Sequence, residues 1–198
     1  MLKTCTRVES IGNTALAWGR TTIIGVLLLF TAMLGSINAQ STTDKRVKAA
    51  FVYNFAKFIE WPGFTNSASN TPIKIAIVGE DPIKSELESV MRGKSIDTHP
   101  IEILKFQSLT EIQPCHLLFI SNSERANLPH ILKLIRNTVV VTVSDMPDFL
   151  DQGGQIAFLS QENKIRFEVN IAETERVGVK LSSNLLKLAL AVRAGVKH

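Results

Sequence analysis

Cysteine is nearly absent from this chain. Only two of its 198 residues are cysteines, Cys5 and Cys115. If the first 39 residues are removed, Cys115 is alone, which excludes an internal disulfide in the remaining chain. A single cysteine in an apolar segment is typical of a buried side chain, while a disulfide between two copies of the chain stays an open alternative.

An excess of charge of one sign is missing as well. The formal net charge is +4, and it falls to +2 without the three basic residues and one acidic residue of the first 39. A near-neutral domain gives no reason to expect a nucleic-acid partner. After Ile37 no apolar run approaches the length that crosses a membrane, so the rest of the chain is not expected to insert into one.

The amino-terminal segment has the pattern of a targeting sequence. Basic residues precede an apolar run from Thr21 to Ile37, and Ala39 offers a small residue for cleavage before Gln40. This pattern predicts that residues 1–39 form a cleaved signal peptide and that the protein is exported. A retained anchor helix is the alternative, because the run is just long enough to span a membrane.

An aromatic helix is predicted to open a single domain over 47–196, after a flexible polar segment at 40–46. One side of this helix is apolar at helical spacing and carries Phe51, Val52, Phe55, Phe58 and Ile59. The opposite side mixes positive and negative charges, which favours packing against the domain over binding to a membrane surface. Pro62 is expected to end the helix.

Strands alternate with helices through the middle of the chain. The apolar runs IAIV, LLFI and VVVTV are typical of buried parallel strands. The alternation predicts an α/β fold: a mostly parallel sheet covered by helices on both faces, a three-layer arrangement of Rossmann-like or flavodoxin-like type. Two later strands joined at Glu162 and Asn163 predict an antiparallel hairpin near the C-terminus, followed by a final helix capped by Ser182 or Ser183.

Residue constellations for catalysis or cofactor binding do not stand out in the sequence. The loop VGEDP lacks the glycine spacing of nucleotide-binding loops, and the histidines lack metal-ligand spacing. We therefore predict no catalytic residues, no cofactor and no metal. Gly79, Asp81 and Asp145 follow strands, where open α/β sheets bind ligands, so a small-ligand pocket at these strand ends is a second hypothesis.

Two groups of residues are predicted to contact a partner. Trp61, Pro62 and Phe64 follow the opening helix at a corner, where large aromatic side chains can anchor an interface. The alternative for Trp61 is that it folds back as a lid over the helix.

The second group, Phe167, Glu168 and Asn170, lies on the last strand of the hairpin. This strand could pair with a partner if it forms an edge of the sheet, and Asn170 is also expected to cap the turn that follows.

Two stretches resemble the YfiR-like periplasmic family. They are KAAFVYNFAKFIEWP and GGQIAFLSQENKIRFEVNIAETERVGVKLSSNLLKLA, with IAIVGEDP and CHLLFIS between them. The resemblance implies a small periplasmic α/β domain without enzymatic activity. It also implies binding to the periplasmic sensory domain of an inner-membrane diguanylate cyclase, which lowers cyclic-di-GMP signalling and biofilm formation.

The resemblance carries further expectations about partners. An outer-membrane-associated lipoprotein would relieve the restraint, and the family's tendency to dimerise makes a homodimer possible. The chain departs from one known family member, which uses disulfides, because Cys115 has no cysteine partner once residues 1–39 are removed. A periplasmic small-ligand sensor or carrier remains the alternative function.

Overall fold

The fold was obtained as a computed structural model, which describes residues 42–62 and 71–195, with only the backbone of Leu109. The predicted signal peptide and Phe64 lie outside the described residues.

Five helices and ten strands make up the described fold. The helices are α1 over 42–58, α2 Ile83–Met91, α3 Leu128–Leu134, α4 Ile171–Arg176 and α5 Ser183–Leu188. The strands are β1 Ile59–Glu60, β2 Ile73–Val78, β3 Ser95–Ile96, β4 His99–Phe106, β5 Leu117–Ile120, β6 Val141–Ser144, β7 Ile156–Gln161, β8 Lys164–Asn170, β9 Lys180–Leu181 and β10 Ala191–Arg193. Short 3-10 helices lie at Leu109–Glu111 and Asn122–Asn127.

Eight of the strands form one mixed sheet in the order β10-β8-β7-β6-β5-β2-β4-β3. Its centre, from β4 to β7, is parallel, whereas β7–β8 and β3–β4 are antiparallel. The central order matches the flavodoxin-like arrangement, in which the second strand lies outside the first. The predicted α/β class and the antiparallel hairpin are therefore confirmed. Separately, β1 and β9 pair as a two-stranded antiparallel ribbon.

Apolar side chains fill both faces of the sheet. On one face, α1, α2 and α5 pack over the odd-numbered side chains of β2, including Ile75 and Ile77. On the other face, α3 and the segment around Phe149 cover Ala76 and Val78. Because both faces are buried, the central strands carry continuous apolar runs instead of alternating with polar residues.

The aromatic stripe of α1 packs against the hairpin. Phe51 and Phe55 meet Phe158 of β7 and Phe167 of β8, with ring centroids 4.9–6.1 Å apart. A fully buried phenylalanine stabilises a fold by about 1.5–3 kcal/mol relative to an exposed one, so this cluster is a large contribution to the core.

The helix α1 also includes residues 42–46, which the sequence analysis assigned to a flexible segment. Polar residues can extend a helix whose next turns are already fixed by packing.

The hairpin turn has the geometry that its residues favour. Glu162 and Asn163 both have positive φ angles, 52° and 56°, and β7 and β8 pair directly on either side of them. Two consecutive left-handed residues make the turn that matches the twist of a hairpin, and asparagine adopts this conformation readily.

The predicted final helix is only partly correct. Ser182 does cap α5, since its Oγ accepts a hydrogen bond from the Leu185 amide at 3.3 Å. The helix ends at Leu188, however, and the chain then turns into strand β10, which pairs in parallel with β8. Leucine and alanine favour helix in isolation, but the backbone hydrogen bonds that β8 offers at this sheet edge override that preference.

Candidate functional site

The crevice at the carboxyl ends of β2 and β5 is closed by the chain's own side chains. Ser121 Oγ donates to the Glu80 carbonyl at 2.8 Å, and the Glu80 amide donates to Ser123 Oγ at 2.9 Å. Gly79 has a φ of +90°, and a Cβ there would lie 2.5 Å from Ser123 Oγ. The usual ligand position of this fold is thus occupied by the 3-10 helix that follows β5.

Asp81 and Asp145, which follow two strands of the sheet, lie close enough for the charge of one to affect the other. Asp145 Oδ2 pairs with Lys48 Nζ at 2.6 Å, and Asp81 Oδ1 accepts the Ile83 amide at 2.8 Å. Burial raises the pKa of the Asp81 carboxyl, and the nearby Asp145 carboxylate raises it further. The bond to the Ile83 amide accounts for Asp81, and the pairing with Lys48 accounts for one oxygen of Asp145. The other oxygen, Asp145 Oδ1, is buried without a hydrogen-bond partner among the described residues.

Trp61 is folded inward at the end of α1. Its side chain is 7% exposed, its Nε1 donates to the Ala56 carbonyl at 3.2 Å, and its ring meets His116 edge to face at 5.5 Å. This geometry agrees with the lid interpretation of Trp61. Pro62, the next residue, is exposed. A partner-binding role for Trp61, Pro62 and Phe64 stays a prediction.

Cys115 and His116 lie beneath this corner, before β5. His116 Nδ1 accepts a hydrogen bond from the Lys74 amide at 3.0 Å, so this nitrogen carries no proton. Burial lowers the pKa of His116, and the positive charges of Lys74 and His99 lower it further. Burial raises the pKa of the Cys115 thiol to about 12, which keeps it neutral.

The hypothesis that β8 is an edge strand is wrong, because β10 covers it. Phe167 and Asn170 are 0% and 1% exposed, and Asn170 Oδ1 caps α4 by accepting the Glu173 amide at 3.4 Å. Glu168 is half-buried and binds Arg193 of β10 through two hydrogen bonds, of 2.6 and 3.0 Å. These three residues therefore lie on a strand that β10 covers, and not on the outermost strand of the sheet.

The outer edge beyond β8 is β10, and it carries an exposed apolar patch. Leu188, Leu190 and Val192 are 57%, 46% and 47% exposed, and we call them the β10 patch. All three residues fall within the final helix that the sequence predicts, and the helical pattern there would bury Leu188 and Val192. The signal that identifies them correctly was present, since Leu190 and Val192 alternate with alanines at the two-residue period of a strand.

Fold and surface together define the class of this protein. It is a three-layer α/β domain of flavodoxin-like strand order, with its usual ligand crevice filled. Among the described residues, β10 is an edge strand of the sheet and lies beside a hydrophobic patch. In the described part of the chain, no group of three or more acidic, histidine or cysteine side chains could hold a metal ion. Nor does any helix there have the length and apolar character needed to cross a membrane.

The chain belongs to the YfiR/HmsC-like family, whose profile matches residues 45–190. The match extends over both stretches that carry the resemblance in the sequence. The family is periplasmic and regulatory, and it acts in diguanylate cyclase signalling in general. No curated protein matches the chain.

Proposed function

We propose that this protein inhibits an inner-membrane diguanylate cyclase by binding the periplasmic sensory domain of the enzyme. Inhibition lowers cyclic-di-GMP and biofilm formation. Family membership supports the regulatory role. The observation that carries the binding role is the β10 patch. It lies beside a strand edge that no other described segment pairs with, and exposed apolar residues at such an edge are typical of protein interaction sites.

The mechanism is a shift between conformations of the cyclase. A regulator that binds the inactive conformation better than the active one lowers the active fraction without any chemical step. A tenfold difference in affinity between the two conformations corresponds to about 1.4 kcal/mol, which a few buried apolar side chains can supply. An outer-membrane-associated lipoprotein that competes for the regulator would restore activity, and a homodimer would present two copies of the surface.

Two surfaces of the domain are the proposed contacts. At β10, a strand of the partner continues the sheet through main-chain hydrogen bonds, while the β10 patch loses its contact with water. The second proposed contact is the corner after α1, where Pro62 is exposed and Trp61 is buried. Phe64 follows this corner in the sequence and is proposed to belong to the same contact.

The test is capture of the cyclase from solubilised membranes by the purified protein. We expect the unaltered protein to capture a diguanylate cyclase, and Val192→Asp to lose capture with an unchanged melting temperature. Val47→Asp is the matched control, because Val47 is also exposed, at 37%, but lies on α1. The proposal fails if nothing with a cyclase domain is captured and deletion of the gene leaves cellular cyclic-di-GMP unchanged.

Trp61→Ala separates the two interpretations of that residue in the same assay. Loss of capture with unchanged melting identifies an anchor. Loss of stability by about 3–5 kcal/mol, with capture retained below the melting temperature, identifies the lid.

The alternative function, a small-ligand sensor or carrier, needs a new location in this fold. The strand ends at Gly79, Asp81 and Asp145 are filled by the chain itself. Open cavities lie instead at the opposite ends of the central strands, near the amino ends of β5 and β6.

A further inference from the structure

An apolar cavity of about 500 Å³ opens beside the amino ends of β5 and β6. Its volume lies in the range of small-molecule sites. Two exposed side chains, Leu134 and Val139, form its rim, and buried Cys115 and Val140 form part of its floor. The remaining lining residues are Thr110, Ile112, Gln113, Pro114, Ile135 and Thr138.

The lining of this cavity is electrically neutral. None of its described lining residues is an acid or a base that is charged at neutral pH. The buried Cys115 thiol is also protonated there, as its raised pKa requires. A cavity of this kind favours a hydrocarbon group, because it offers apolar contact without any charge to desolvate.

A second cavity, of about 370 Å³, adjoins the first. The two share Ile135 and Val140 as lining residues. Three basic side chains surround the second cavity, Lys133, Arg136 and Arg176, whereas Glu173 is its one acidic lining residue. The electrostatic potential in the second cavity is therefore positive.

Two of these cations are available to a ligand. Arg176 already pairs with Glu173 and donates to the Arg136 carbonyl, both at 2.7 Å. By contrast, the side chains of Lys133 and Arg136 make no hydrogen bond or ion pair within residues 42–62 and 71–195. The polar floor of this cavity is satisfied internally, since Gln155 Oε1 accepts the Thr142 hydroxyl at 2.9 Å.

We propose that the two cavities together bind one anionic amphiphile. Its hydrocarbon chain fills the neutral cavity at Cys115. Its carboxylate or phosphate group lies in the second cavity, past the shared residues Ile135 and Val140, and binds Lys133 and Arg136. Charge-assisted hydrogen bonds to Arg136 fix the head group, and burial of the chain supplies the affinity. This site goes beyond the regulatory role and does not depend on it.

The test is calorimetric titration of the purified protein with octanoate, decanoate and dodecanoate, each below its micelle concentration. Each added methylene should strengthen binding about fourfold until the cavity is full. Decanol, which has the same chain without the charge, should bind more weakly. Dodecyl phosphate distinguishes the source of the head group: tighter binding than dodecanoate indicates a phospholipid-derived ligand, and weaker binding indicates a free fatty acid.

Three variants separate the parts of the site. Arg136→Gln should weaken decanoate binding about tenfold and leave decanol binding unchanged. Leu134→Asp places a carboxylate at the apolar rim and should abolish decanoate binding; Leu134 is 51% exposed, so the melting temperature should not change. Lys187→Gln removes an exposed positive charge on α5 and should change neither affinity.

Three results would overturn the proposal: absence of decanoate binding, equal affinity for decanoate and decanol, or the same decrease for Arg136→Gln and Lys187→Gln. None of them bears on cyclase capture, which the Val192→Asp experiment tests separately.

Discussion

His116 is the residue whose surroundings most directly link structure to pH. Its Nδ1 accepts the Lys74 amide, so protonation of that nitrogen removes a hydrogen bond as well as adding a buried charge. The pKa of the folded state is lower than the ordinary value of 6.5. Below about pH 6.5 the unfolded chain therefore binds more protons than the folded one, and the free energy of unfolding decreases as pH falls.

We expect His116→Asn to reduce this acid destabilisation. The asparagine Oδ1 can replace Nδ1 as acceptor for the Lys74 amide, but it does not titrate. Urea unfolding at a series of pH values between about 5 and 7.5 measures the slope. His130→Asn is the control, since His130 is exposed on α3 and should leave the slope as it is. Equal slopes for the unaltered protein and His116→Asn would show that His116 is not the source of the acid destabilisation.

At the scale of elements, Gln155 joins three parts of the fold. It is 3% exposed; its Oε1 accepts from both the amide and the hydroxyl of Thr142 in β6, and its Nε2 donates to the Glu173 carbonyl of α4 at 3.2 Å. The Gln155 side chain thus links the residue just before β7 to strand β6 and to helix α4.

Replacing Gln155 with methionine should lower the free energy of unfolding by about 2–4 kcal/mol. The change keeps the approximate size of the side chain but leaves buried polar groups of Thr142 and Glu173 without partners. Gln152→Met, three residues away and exposed, is the matched control and should change stability by less than about 0.5 kcal/mol. Urea unfolding measures both variants. Similar losses would show that the Gln155 hydrogen bonds are not the cause.

The sequence predicted correctly those elements that depend only on residues close together in the chain. The Glu162–Asn163 turn, the Ser182 cap and the apolar central strands all follow from the properties of the residues themselves. Strand β10 does not, because it forms only where β8 provides a partner and where Glu168 can bind Arg193. The local pattern was ambiguous there, because the alternation of Leu190 and Val192 with alanines fits a strand while leucine and alanine also favour a helix. Pairing with β8, which is non-local, decides between the two.

The candidate site was harder to predict for the same reason. The sequence shows that Asp81 and Asp145 both follow strands, and the structure brings them to the same side of the sheet, close enough for their charges to interact. It did not reveal that Ser121 and Ser123 would fill the crevice between β2 and β5. It also did not reveal the cavity at Cys115, whose walls come from separate segments that meet only in the folded domain.

At the scale of the whole molecule, stability is expected to be uneven across the sheet. Strands β2, β5 and β6 are buried on both faces, whereas β10 is three residues long and lies at the edge. Amide hydrogen exchange should therefore be slowest in the central strands, where it requires global unfolding, and fastest in β10.

Arg193→Ala tests this difference, because Arg193 binds both Glu168 and Asp151. We expect faster exchange of the β10 amides and unchanged exchange in β5, followed by mass spectrometry. Lys164→Ala, on the exposed start of β8, is the control. Equal acceleration in β5 would mean that the edge and the centre unfold together.

The contact between α1 and the β7–β8 hairpin also governs when the domain can fold. Phe51 and Phe55 come from the beginning of the domain, and their partners Phe158 and Phe167 come from near its end. Helix α1 cannot complete this aromatic cluster until the residues of β7 and β8 are present. Contacts between residues so distant in sequence form slowly. We expect a chain assembled in this order to stay loosely packed until the hairpin strands are available, so that its core closes only when most of its length is present.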